Sequence, residues 1–260
     1  MIRGINNKPF INLDPFIDID AFSSFHYKIC RGIVLSHDKK EGNIVEPGGF
    51  DDAYEFHAKP TFQALKEYHA LPEDHEIRVI GREIGEYQNR DKFVLYLKLV
   101  LGAYDPYQFI FLKTEEGGWA TRFEAKAWTK DSELFPELVT WINNLVTTNV
   151  FKSLGRIIIF KAEHDCQMFM HRDLILPEET GYFDHRHEFI HLRANLDKPF
   201  YMWDPDTNIV HTVDSRATFF NDQDWHSGGK SNKQTYSIRI DGEFTDEFRE
   251  LIGINHLSHY

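Results

Sequence analysis

From residue 151 to residue 244 the chain is a succession of short extended runs with no helical pattern between them. "GRIIIFKAE", "CQMFMHRD", "HEFIHLRAN", "KPFYMWD", "NIVHTV", "RATFFN", "DWHSG" and "QTYSIRIDG" follow one another, separated by Asn, Asp, Gly and Pro. Parallel strands need long crossovers, usually helical, so strands joined this closely pair antiparallel. Antiparallel sheets with one apolar face must cover each other or close on themselves. The expected class is therefore mainly β with flanking helices, its C-terminal half a barrel or sandwich. "DPDTN" at 204–208 is suited to a hairpin turn within it.

The remainder reads differently. "DSELFPELVTWINNLVTTNVF" spaces Leu134, Leu138, Trp141, Ile142 and Leu145 as one helical face, with Asp131 or Ser132 available as a cap. "PTFQALKEYHAL" predicts a second helix behind Pro60. "EIRVIGREI" is compatible with a strand, "KFVLYLKLVLGAYD" with helix or strand, and "YQFIFLKT" reads as strand from its aromatic and β-branched content. Residues 1–56, broken by Pro, Gly and Asp, read as an irregular arm, and "TDEFRELIG" as a closing helix with Gly253 behind it. One domain over 1–260 is expected. A helical and irregular part, 1–150, packs on a core at 151–244, and a helix and tail at 245–260 follow. The N-terminal part is expected to supply a lid and a specificity surface.

Charge narrows the partners. With 29 Lys and Arg against 41 Asp and Glu, the formal charge of -12 repels nucleic acid and anionic membranes, and no basic patch offsets it. The longest apolar-leaning run holds two lysines and is too short to span a bilayer. Two cysteines, Cys30 and Cys166, in mainly apolar contexts, without a leader pattern, fit a cytoplasmic protein.

One group of residues carries chemistry. If "QMFMHRD" is extended, His171 and Asp173 project on one side. His226, isolated beside Trp225 and two glycines, could complete a 2-His-1-carboxylate face with open positions for chemistry. In "QTYSIRIDG", Tyr236, Ile238 and Ile240 alternate with Ser237 and Arg239, so Arg239 points to the polar side. A guanidinium in a barrel interior requires an anion, which argues for a carboxylate-bearing ligand.

"HRD" at 171–173, the distant His226, and Arg239 a strand later resemble the iron- and 2-oxoglutarate-dependent oxygenase superfamily. The run "HEFIHLRANLDKPFYMWDPDTNIVHTVDSRATFFNDQDWHSG" is most similar to its aspartyl/asparaginyl β-hydroxylase-like branch. The resemblance spans 155–242. It implies a double-stranded β-helix (a jelly-roll, cupin-like barrel), with Fe(II) held by His171, Asp173 and His226. It further implies 2-oxoglutarate chelating the iron with its far carboxylate on Arg239, and O2 as co-oxidant. The activity implied is hydroxylation of an unactivated C–H bond with release of succinate and CO2. A small amino acid or carboxylated metabolite is the expected substrate, a peptide being compatible. His191 and Arg193 would help hold a carboxylate, and His187, Tyr201, Trp203 and Trp225 would border the substrate.

Other readings remain open. His171 and Asp173 can be a hydrogen-bonded surface pair, with the barrel a non-catalytic binding module. Alternatively, His185, His187 and His191 in "DHRHEFIHL" resemble the metal motif of cupins, implying a metal-dependent isomerase or an oxygenase that needs no keto acid.

Overall fold

The computed structural model describes residues 2, 4–6, 8–37, 44–45, 59–85, 90–101, 103–104, 107–114, 127–162, 168, 170–173, 188–231 and 235–254. Strands β7 (Phe151–Ala162), β8 (Glu188–Arg193), β9 (Phe200–Asp204), β10 (Ile209–Thr212), β11 (Ala217–Phe220), β12 (Trp225–Gly228) and β13 (Thr235–Phe244) fill the C-terminal half. They divide between two antiparallel sheets. The larger sheet runs β11-β8-β13-β7 at its centre, and the smaller runs β10-β9-β12. Residues 168 and 170–173 lie beside β12 of the smaller sheet: His171 and His226 exchange both backbone hydrogen bonds, and Met168 N–H donates to the Gly228 carbonyl.

Chain order explains the architecture. β7 lies in the large sheet, His171 bridges to the small one, β8 lies in the large, β9 and β10 in the small, β11 in the large, β12 in the small and β13 in the large. A chain that winds between two facing sheets in this way forms a double-stranded β-helix, or jelly roll. Asn208, at φ 56, makes the tight turn of the β9–β10 hairpin.

The N-terminal half adds to the large sheet. β1 (Phe10–Asn12) pairs with β11, β5 (Tyr107–Thr114) pairs with β7, and β2 (Ile44–Val45) and β6 (Ala127–Trp128) pair with β5. β3 (Lys59–Pro60) and β4 (Ala103–Tyr104) form a separate parallel pair. Helices α1 (Ile19–Ser24), α2 (His26–His37) and α6 (Pro136–Thr147) cover one face of the large sheet. There Phe22, Ile29, Leu138 and Ile142 meet Ile157, Ile159, Ile238 and Ile240. Each fully buried aliphatic or aromatic side chain contributes roughly 1.5–3 kcal/mol. Helices α3 (Thr61–Ala70), α4 (Glu76–Ile84) and α5 (Arg90–Leu101) form a second core. Tyr68, Phe93 and Leu97 pack there on Phe111 and Ile158, which face away from the first core. Helix α7 (Asp246–Leu251) is tied to the barrel by Arg249, whose Nε and Nη2 donate to the buried Glu188 carboxylate at 2.7 and 2.9 Å.

Three sequence expectations are corrected. "EIRVIGREI" forms helix α4, capped by the His75 imidazole and ended by Gly85 at φ 92, with Gly81 lying against the Tyr68 ring where a Cβ would collide. Residues 1–56 contain helices α1 and α2; Asp18 caps the first by accepting from Ala21 N–H at 2.8 Å. The helix expected from 131 begins only at Pro136, in the first helical position, after a 3-10 turn at Lys130–Leu134. Cys30 is a free thiol, whereas Cys166 lies outside the described residues. No described helix is long and apolar enough to cross a membrane.

Candidate metal centre and cavity

The cavity between the sheets has a volume of about 290 Å³, and His171, Asp173, His191, His226 and Arg239 are in its wall. His171 and Asp173 are two apart in an extended segment, so both face inward; His226 faces the same way from the neighbouring β12. Their ligand atoms lie within 4.8 Å of one another. Asp173 Oδ1 is 3.2 Å from His171 Nε2 and 3.4 Å from His226 Nε2. Adjacent ligands on one ion at bond lengths of about 2.1 Å stand about 3 Å apart, so the donor set fits a divalent cation. The far side of the His226 ring supports this, since Nδ1–H donates to the Asp224 carbonyl at 2.8 Å and leaves the unprotonated Nε2 lone pair facing Asp173 and His171. Asp224 is itself anchored, its Oδ2 accepting from Gly4 N–H at 2.6 Å.

Arg239 faces the cavity, as its alternation with Ile238 and Ile240 predicts. Its anions, however, come from the protein. Nη1 donates to Asp173 Oδ2 at 2.6 Å, Nη2 to Asp222 Oδ2 at 2.7 Å and Nε to Asp241 Oδ1 at 2.6 Å. The guanidinium also stacks on Phe189, 3.7 Å from the ring centroid. Burial alone would lower the arginine pKa, but Asp241, Asp222 and Asp173 together raise it above its ordinary value. The inference from an inward arginine to a carboxylate-bearing ligand is therefore not required by charge balance. Three of the five guanidinium N–H groups are engaged by carboxylates, which leaves two.

His191 lies directly across from Arg239, in the β8–β13 register. Its Nδ1 is buried and has no hydrogen-bond partner among the described residues. Burial, reinforced by the Arg193 and Arg239 charges, holds its pKa down to about 3, so the ring is neutral at physiological pH. A His191→Leu substitution should accordingly reduce acid sensitivity. The unfolded chain takes up a proton near pH 6.5 and the folded ring does not, so stability present above about pH 6.5 declines as pH falls toward about 3, by up to about 1.4 kcal/mol per pH unit. Urea unfolding of metal-free protein at pH 7 and pH 4 measures the difference; equal losses in wild type and variant would contradict it.

Arg193 lies in the wall but is engaged elsewhere. It donates to the backbone carbonyls of Ser215, from both Nε and Nη2, of Val213 at 2.7 Å and of Lys198 at 3.2 Å. Burial lowers its pKa to about 10. These bonds clamp two connecting segments together.

The aromatic assignments are also corrected. Trp225 alternates with His226 and therefore faces out; Trp203 and Tyr201 stand opposite Trp225 and Ser227 in the register and face out with it. None of the three lines the cavity. Instead Trp203 and Trp225 meet at 5.9 Å between ring centroids, and Arg172 stacks on Trp225. His185 and His187 lie outside the described residues, and the cupin-type histidine set rests on them.

The sequence reading missed Asp222, Asp241, Arg156 and Asp224. Asp241 was within reach of it, being two residues from Arg239 on the same face of β13. Arg156 Nε and Nη2 meet Asp241 Oδ2 at 3.1 and 3.0 Å, across strands joined only in the fold, and no local signal marks that pair.

No protein-family model matches the chain, and no curated protein does. Solved structures similar to it include an oxidoreductase of the 2OG-Fe(II) oxygenase family from Burkholderia pseudomallei, at 12% identity over 52% of this chain and 68% of that one, TM-score 0.33. A prolyl hydroxylase from Trichoplax adhaerens, in complex with a hypoxia inducible factor peptide fragment, is 11% identical over 92% of this chain and 98% of that one, TM-score 0.35. A cupin domain from Bordetella pertussis is 8% identical over 33% and 78%, TM-score 0.23. Likenesses this slight bear on neither fold nor chemistry, both of which rest on the strand order and the side-chain geometry above. That geometry is a jelly-roll barrel with a His-Asp-His cluster in its cavity.

Proposed function

We propose that this protein is an Fe(II)- and 2-oxoglutarate-dependent oxygenase that hydroxylates an unactivated C–H bond of a small carboxylated molecule. The observation that carries the reading is the convergence of His171, Asp173 and His226 on one point of the cavity wall. Such a face takes a divalent iron and leaves open positions on one side. The sequence resemblance supports iron over other divalent ions. Iron bound there supplies the activation of O2, coupled to oxidative decarboxylation of the keto acid.

The chain's own residues orient and exclude. Phe160, Phe189, Phe200, Phe220 and Met168 make most of the wall apolar, which limits water beside the metal ligands. His191 turns a neutral ring toward the interior, and the two remaining Arg239 N–H groups are available to an anionic oxygen of the cosubstrate. Lys198, also in the wall, suits a carboxylate on the substrate. The cavity volume favours a small molecule, and the charge of -12 disfavours nucleic acid.

A second reading is favoured by one observation. Because Asp173, Asp222 and Asp241 already neutralise Arg239, the barrel is also compatible with an oxygenase that needs no keto acid. Anaerobic loading with Fe(II), followed by O2 with and without 2-oxoglutarate, separates the two. Succinate release, increased by one member of an amino-acid and peptide library, is the expected result. O2 consumption independent of 2-oxoglutarate would select the second reading, and no metal-dependent O2 consumption in either condition would leave a binding barrel.

A further inference from the structure

We infer that Arg239 is a positioning residue for the metal site: with Asp222 and Asp241 it holds Asp173 to ligation through a single oxygen. The inference rests on the His171–Asp173–His226 cluster being a metal site. Asp173 presents Oδ1 to both imidazole nitrogens, and its Oδ2 accepts from Arg239 Nη1 at 2.6 Å. A carboxylate held this way cannot rotate to offer both oxygens to an ion without losing a charge-assisted hydrogen bond.

The number of oxygens offered matters. One oxygen and two imidazoles would hold an ion through three contacts on one side and keep its other side open to small ligands. A second Asp173 oxygen on the ion would close part of that open side. The guanidinium thus sets how many positions stay open before any organic ligand arrives.

Arg239 is itself immobilised. Asp222 and Asp241 are fully buried, and Phe189 supports the face of the guanidinium. Arg156 meets Asp241 from behind. Asp222 closes a ring, since its backbone carbonyl accepts from Asp173 N–H at 2.9 Å while its carboxylate accepts from Arg239 Nη2. It also belongs to the turn that leads into His226, so one turn supports both ligand-bearing segments. Two guanidiniums and three carboxylates sum to one negative charge, which a dication converts to one positive charge.

Asp222 is not in the cavity wall, so a substitution there reaches the metal only through its neighbours. Metal-free Arg239→Lys and Asp222→Asn proteins are titrated with Co(II), with no organic ligand present, and their Co(II) absorption spectra compared with wild type. Far-UV circular dichroism checks the fold. Both variants should bind Co(II) about 10–100-fold more weakly, the usual effect of losing a partner of a metal ligand. Their spectra should shift toward a different coordination number, and 2-oxoglutarate added afterward should perturb them less. Asp222→Asn keeps the side chain's shape and one acceptor oxygen, so it carries the test if Arg239→Lys does not fold. Wild-type Co(II) affinity and spectrum in both variants, with only 2-oxoglutarate affinity reduced, would overturn the inference and make Arg239 an anchor for the organic ligand alone. His226→Ala is the separate control: undiminished Co(II) binding there would sink the metal site itself.

Discussion

An Asp173→Ala protein should retain its fold and lose both stoichiometric divalent-metal binding and all metal-dependent turnover. The side chain is the one anion among the three candidate ligands, and its Oδ1 lies between the two imidazole nitrogens. Its removal leaves two neutral donors facing a dication, with the Arg239 charge close behind. The loss should therefore exceed the roughly 10–100-fold cost of removing an outer partner of a metal ligand. Survival of the fold is expected because Arg239 keeps Asp222 and Asp241, so no buried charge is left unpaired. Isothermal titration with Fe(II) under argon, together with succinate release, measures both effects. Affinity within about tenfold of wild type would show that Asp173 is not a ligand.

Arg193→Met should act on stability and spare the metal. The guanidinium bonds the carbonyls of Lys198, Val213 and Ser215, which belong to the β8–β9 and β10–β11 connections. A buried carbonyl without a partner costs roughly 1–3 kcal/mol, and relief from burying a cation, whose nearby anions are Asp14 and Asp214, offsets part of that. A net loss of about 3 kcal/mol is expected from urea unfolding of the metal-free protein. Metal affinity should not change, because Arg193 bonds none of the three ligands. Unchanged stability with a weakened response to 2-oxoglutarate would instead restore the ligand-holding part that the family resemblance implies.

How far the sequence could be read follows from the range over which each signal acts. Two-residue alternation is local, and it placed His171 with Asp173 and turned Arg239 inward. The same alternation turns Trp225 away from His226; aromatic composition, taken alone, suggested a substrate wall where the structure has an outer face. The partners of Arg239 were not legible as a set. Asp222 arrives from a turn and Arg156 from a strand far away in sequence, and nothing near Arg239 announces either. Helix α4 was missed because Ile77 and Val79 invite a period of two. The end signals, His75 before it and Gly85 after it, favoured a helix. The winding of strands between sheets came from the family resemblance, since local pattern shows extended runs but not which sheet each one joins.

All of the proposed chemistry depends on three side chains from two neighbouring strands gripping a single ion. Anomalous diffraction from a crystal of the Mn(II)-loaded protein tests this most directly, because it locates the metal without reference to activity. The expected map has one strong peak within about 2.3 Å of His171 Nε2, His226 Nε2 and a single Asp173 oxygen, with Arg239 still on the other oxygen. A peak elsewhere, such as beside His185 and His187, or none at saturating Mn(II), would contradict the account.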